Sequence, residues 1–208
     1  MTLTSLRRTV FLALGSILAA APASAHHAMG GETPTNFTQG FVSGLAHPVI
    51  GLDHLAFILA VGVAVGVGGL SLLLPIVFVA TSAVGVAMHV NGMNLPGAEM
   101  IVAASVVITG VLIACGRELP LAAWGALFGL AGLAHGYAYG ESIFGAEPTP
   151  LYAYLLGLVL IQSAIAVGTA VLVGRSGAGV SAIAPRLAGA VVIGVGLAAL
   201  MGQIIPGA

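Results

Sequence analysis

The stretch HPVIGLDHLAF, residues 47–57, sets His47, Asp53 and His54 within eight positions at the head of a long apolar run. Imidazole and carboxylate together form the ligand set that suits divalent nickel, cobalt, zinc or copper. Four more residues of these types, His89, Glu99, His135 and Glu141, lie at the edges of other apolar runs. An ionisable side chain inside a membrane costs several kcal/mol unless it is paired or coordinated, so each of them asks for a partner. One histidine near a helix end is ordinarily structural. Four histidines and three carboxylates are harder to explain that way.

The elements that must position these groups follow from composition. Of 208 residues, 59% are hydrophobic and 5% charged, far below the quarter that soluble domains carry, so the chain belongs in a bilayer. A net charge of −1 without a single lysine leaves no basic face for nucleic acid. The lone cysteine, Cys115, has no partner for a disulfide within the chain. Residues 1–25 have the form of a cleaved signal peptide: Arg7 and Arg8, a short apolar core at 10–21, and the small residues Ala23, Ser24 and Ala25. Segment 26–49 then forms a periplasmic N-terminal region, and its stretch 41–47, interrupted by Pro48, a short re-entrant or interfacial half-helix. Residues 50–208 form the transmembrane domain, an all-α bundle of six spans at about 50–69, 71–91, 98–115, 119–138, 150–173 and 184–205. Turn-forming segments separate them: GVGGLS, NGMNLPG, GRELP, GAEPTP and GRSGAG. Glycines spaced by four, at 62/66, 125/129 and 132/136/140, predict close helix contacts.

Two independent considerations give the same direction. Cleavage of the signal leaves the mature N-terminus outside, and six spans return the C-terminus to the same side. Arg117, Arg175 and Arg186 then fall on the cytoplasmic side, as the positive-inside rule requires. On this topology His47, Asp53 and His54 lie at the outer start of the first span. His89 ends the second, Glu99 opens the third, and His135 and Glu141 close the fourth. The expectation is a metal site at the outer mouth of the bundle. His47 and His54, seven apart, share a face on a continuous helix, and a bend near Pro48 and Gly51 would bring them closer. Asp53 faces elsewhere, as a ligand or as a partner orienting an imidazole. His135 and Glu141, six apart, do not share a stripe. His26 and His27, at the start of the mature chain, could chelate an ion through imidazole and amine. Glu32 and Glu147 read as solvated loop residues, and Glu118 as a helix-end charge beside Arg117.

Three segments resemble the HupE/UreJ family of hydrogenase and urease accessory membrane proteins: HPVIGLDHLAFILAVG at 47–62, NLPGAEMIVAASVVITG at 94–110 and FGLAGLAHGYAYGE at 128–141. The resemblance spans essentially the whole mature chain, and the His-Pro-x-x-Gly-x-Asp-His pattern is its most specific part. It implies an inner-membrane permease that takes up divalent nickel, or cobalt, for metalloenzyme maturation. The candidates it carries over are His47, Asp53 and His54 from the first segment, His135 and Glu141 from the last, and Glu99 from the middle one. His89 rests on topology alone. The ion is cargo, not a prosthetic group, and cytoplasmic nickel chaperones of hydrogenase or urease would receive it. No nucleotide-binding motif is present, so the chain itself is expected to hydrolyse no ATP. Two other readings use the same ligands: an intramembrane zinc-dependent hydrolase, with zinc activating a water, and an accessory protein that binds metal without moving it.

Overall fold

The structure, a computed structural model, describes residues 32–205. The expected signal peptide and the His26–His27 pair lie outside the described residues. Within them the chain forms seven helices and one 3-10 turn: α1 (Phe37–Ile50), α2 (Leu52–Gly68), α3 (Leu73–Val90), α4 (Ala98–Ala114), α5 (Leu121–Gly140), the turn Glu141–Ile143, α6 (Pro148–Arg175) and α7 (Ile183–Ile204). The described residues include no strand. Each of the six expected apolar runs is a helix, α2 to α7. By length and composition α3, α5 with its 3-10 turn, α6 and α7 can each cross a membrane. Counting α1 and α2 as one bent span makes five, and α4 is a shorter apolar helix of 17 residues.

Helix ends fall where the sequence supplies turn chemistry. α2, α3 and α4 each stop in a Schellman arrangement, with Leu70 N–H on Val65 O, Met93 N–H on Met88 O and Arg117 N–H on Leu112 O. The residues that turn the chain there, Gly69, Gly92 and Gly116, have φ of 57°, 74° and 61°, a left-handed conformation that penalises any residue with a Cβ. The expected interruption at Pro48 is corrected by the structure. Pro48 lies inside α1, one turn from its end, where a missing N–H forfeits a single bond. The break falls instead at Gly51, whose extended backbone (φ −72°, ψ 103°) turns α2 by 78° from α1.

Packing pairs α3 with α5, α4 with α7, and both α1 and α2 with α6. Backbone meets backbone at these contacts. A Cβ on Gly136 of α5 would strike the Ser82 carbonyl of α3, and one on Gly44 of α1 would strike the Tyr154 carbonyl of α6. The glycines at 62/66 and 132/136/140 make the close contacts expected of them. Those at 125/129 do not: an added Cβ would find side chains alone at ordinary contact distance, Leu74 at 3.8 Å from the first and Val77 and Thr81 at 3.6 and 4.0 Å from the second. Two further contacts stand beside these: Gly40 and Gly44 of α1, also four apart, lie against α6, and Gly110 meets Gly189 with no four-residue repeat to announce it. Leu130, Leu172 and Leu187 lie on the outside, each more than half exposed. An apolar exterior over helices that satisfy their own backbone is the arrangement hydrocarbon selects.

The helices alternate in direction, so the molecule has two chemically distinct ends. At one lie the starts of α2, α4 and α6 and the ends of α3, α5 and α7, with every described histidine in that half. At the other lie Arg117, Arg175 and Arg186, and Arg186 Nε donates to the Ala114 carbonyl at the end of α4 (2.9 Å). A cation there complements the helix dipole. We call these the histidine end and the arginine end.

Candidate metal centre

The break at Gly51 folds α1 back toward α2, so that the ring of His47 lies 6.1 Å from that of His54. α5 brings a third imidazole: His54 Nδ1 and His135 Nδ1 face each other at 2.8 Å. All three rings are buried, with exposures of 3, 2 and 0% for His47, His54 and His135. Tyr139 sits one turn from His135 on the same face of α5 and lies against both other rings, 4.3 Å from His54 and 5.1 Å from His47 between centroids.

Hydroxyl groups fix the tautomers. Ser105 Oγ of α4 lies 2.7 Å from the Val102 carbonyl and 3.0 Å from His135 Nε2; with its hydrogen on the carbonyl, which can only accept, His135 Nε2 is the donor to it. A neutral His135 then carries its lone pair on Nδ1, which accepts the Nδ1–H of His54. Around His47 the logic is the same. Tyr154 OH donates to the Tyr139 carbonyl (2.9 Å), and the Ser142 hydrogen is directed at that carbonyl (3.1 Å) or at Tyr154 (3.2 Å). Both oxygens therefore accept from His47 Nδ1, at 2.9 and 3.0 Å. Outer groups that orient ligand imidazoles in this way are a regular feature of metal sites. Sequence reasoning missed Ser105, Tyr139, Ser142 and Tyr154. The four-residue step from His135 to Tyr139 was the one available signal.

The remaining candidates lie elsewhere. Asp53 is half-buried in the first turn of α2, where its Oδ1 accepts from the His54 backbone N–H (2.8 Å). A carboxylate in that position also faces the positive end of the helix dipole. His89, Glu99 and Glu141 line a separate cavity of about 320 Å³ at the histidine end, together with Tyr137 and Gln203. Helical geometry explains the split: Tyr137 and Tyr139 are about 200° apart around α5, so His135 and Tyr139 look into the bundle while Tyr137 and Glu141 look into the cavity. His89 leans on Gly140, where an added Cβ would come within 2.5 Å of its Cβ, and its ring lies 4.5 Å from that of Tyr137. Its Nδ1 is buried with no hydrogen-bond partner among the described residues. As the side chains stand, no group of three or more His, Cys, Asp and Glu among the described residues is arranged around one ion position. The seven described candidates thus divide into a dry histidine layer with Asp53 at its edge and a wetter pocket beside it.

An all-helical chain with an apolar exterior and a polar layer sealed within it is a multi-pass membrane protein. The HupE / UreJ protein family matches residues 12–199 of the sequence, which places nearly the whole chain in that family. A relative named Protein HupE, from Rhizobium leguminosarum bv. viciae, is 32% identical over 167 residues, covering 78% of this chain and 85% of its own length. The chain belongs to the HupE / UreJ family. No solved structure matches it.

Proposed function

We propose that this protein is an inner-membrane permease that takes up divalent nickel, or cobalt, for metalloenzyme maturation. In this reading α2 to α7 are six spans, the histidine end and both mature termini face the periplasm, and the arginine end faces the cytoplasm. The observation that carries it is the facing pair His54 Nδ1 and His135 Nδ1, 2.8 Å apart on separate helices. Two nitrogens bound at right angles to one ion at about 2.05 Å stand about 2.9 Å apart, so the spacing suits an ion with square-planar or tetragonal preference, once both rings turn off the line that joins the nitrogens to aim their lone pairs at it and α2 parts from α5. The hydrogen they share must move to His54 Nε2, a change of tautomer that creates no buried charge. His47, held by Ser142 and Tyr154, is the nearest further imidazole.

The pocket of His89, Glu99 and Glu141 serves as the place where a hydrated ion first collects, its carboxylates attracting the charge through water. Entry to the histidine layer then exchanges water for imidazole. The membrane potential supplies about 4.6 kcal/mol per 100 mV for a divalent ion moving inward, and cytoplasmic chaperones would trap the product.

Purified protein in sealed vesicles tests the reading with radioactive nickel. We expect accumulation by the unsubstituted protein and none by His54→Ala or His135→Ala. Nickel that binds but never accumulates would make the protein an accessory binder instead.

A further inference from the structure

Between the histidine layer and the arginine end lies a band whose centre is filled by aromatic rings. Phe57 of α2 sits one turn below His54, its ring 4.5 Å from that of His135. Phe78 of α3 lies 5.3 Å from Phe57 and 5.9 Å from His135, and Phe128 of α5 lies 6.3 Å from Phe57. All three phenylalanines have zero exposure. Trp124 packs beneath Phe128, with centroids 5.2 Å apart and the rings tilted by 37°, and forms part of the wall of a cavity of about 140 Å³ at the arginine end, which Ala64, Ile113, Arg117 and Glu118 also line. Two buried polar side chains border the rings: Gln162 of α6, whose Oε1 accepts from Ser82 Oγ (3.1 Å) and whose Nε2 has no hydrogen-bond partner among the described residues, and Thr109, one turn below Ser105 on α4. Thr109 is fully buried, and its Oγ1 has no hydrogen-bond partner among the described residues. An orphaned hydroxyl is costly in a permanently dry interior and unremarkable where water or an ion passes at intervals.

Resting on the permease reading, we propose that Phe57, Phe78 and Phe128 form an apolar gate that separates the histidine layer from the cavity at the arginine end. A constriction of this kind stops ions by excluding water, without any charge of its own. Its placement also says what would move it. Phe57 and His54 are one turn apart on α2, while Phe128 and His135 are two turns apart on one face of α5. The helices whose imidazoles must part to admit an ion are therefore the helices that carry two of the three gate rings. Thr109 lies beside the path that opens and offers the first oxygen below Ser105.

Site-directed labelling tests the gate. In a Cys115→Ser background, Ala64→Cys places a thiol on the wall of the cavity at the arginine end, and a small, charged, membrane-impermeant thiol reagent is applied to one face of oriented sealed vesicles. With the gate intact the thiol reacts from the arginine side and scarcely from the histidine side. Adding Phe128→Ala or Phe57→Ala should raise labelling from the histidine side by about tenfold or more, since an apolar ring that excludes water has been removed. Phe128→Leu, which keeps the seal apolar and bulky, should not. The two alanine variants lie on different helices, so agreement between them separates an opened gate from one misfolded protein. Labelling that stays at the unsubstituted level in both overturns the gate. Nickel uptake measured on the same vesicles distinguishes the two readings: uptake with unchanged labelling sinks the gate and leaves the permease standing. Increased labelling without any uptake by the parent protein supports the barrier and sinks the permease.

Discussion

The histidine layer and the pocket beside it occupy the same end of the bundle and draw on the same residue types, yet they are built on opposite principles. His47, His54 and His135 are sealed from solvent, and each has an Nδ1 or Nε2 whose partner is fixed by a serine, a tyrosine or another imidazole. His89, Glu99 and Glu141 border an open cavity, and Glu141 is exposed. A dry, oriented site gains specificity by replacing hydration with fixed ligands. A wet, acidic one gains encounter rate and loses it again to salt. On the permease reading proposed above, selection belongs to the first region and collection to the second, and substitutions in the two should fail in different ways.

The largest effects belong to the buried layer. His54→Ala or His135→Ala should lower nickel uptake by about a hundredfold in vesicles, because removing one imidazole takes away a direct ligand and strands its partner. Gly136→Ala should be nearly as damaging by a different route. Its methyl group would collide with the Ser82 carbonyl, forcing α5 away from α3 and carrying His135 with it. Thermal unfolding in detergent should show a loss on the order of 3 kcal/mol, which His54→Ala should not. Ser105→Ala leaves the ligands in place but frees His135 Nε2, and nickel affinity by titration should fall about tenfold. In the open pocket Glu99→Gln and Glu141→Gln should raise the half-saturating nickel concentration only a few-fold. They should also flatten the salt dependence of uptake and leave its maximal rate unchanged. A maximal rate that collapsed in either variant would erase the distinction between the two regions. Acid should lower uptake, since protons and the ion compete for the same imidazole nitrogens, in the buried layer and at His89 of the pocket alike.

Much of this was legible from the sequence, within a clear physical boundary. Apolar runs and glycine-rich turns fixed the helices to within a few residues, because burying backbone in hydrocarbon leaves the chain few other choices. The same pattern put the histidines at one depth, since depth is simply distance along a helix. What it could not give is direction around the axis once neighbours are unknown. His135 and Glu141 were seen to be off one stripe, but only the packing of α3 on α5 shows that the second faces a different cavity. The bend at Gly51 was harder still. Pro48 is the louder signal, yet one turn from a helix end it costs a single bond, and the quieter glycine carries the turn. Tyr154 and Ser142 were invisible because they reach His47 across 107 and 95 residues of chain.

The central claim is that imidazoles from α2 and α5 hold the transported ion between them. X-ray absorption of nickel bound to the purified protein tests this most directly, since imidazole rings leave a characteristic outer-shell scattering that carboxylates and water do not. Two or three imidazoles per nickel are expected, falling by one in His54→Ala and again in the His54→Ala/His135→Ala double variant. A nickel spectrum of oxygen ligands alone, unchanged by either substitution, would contradict the account.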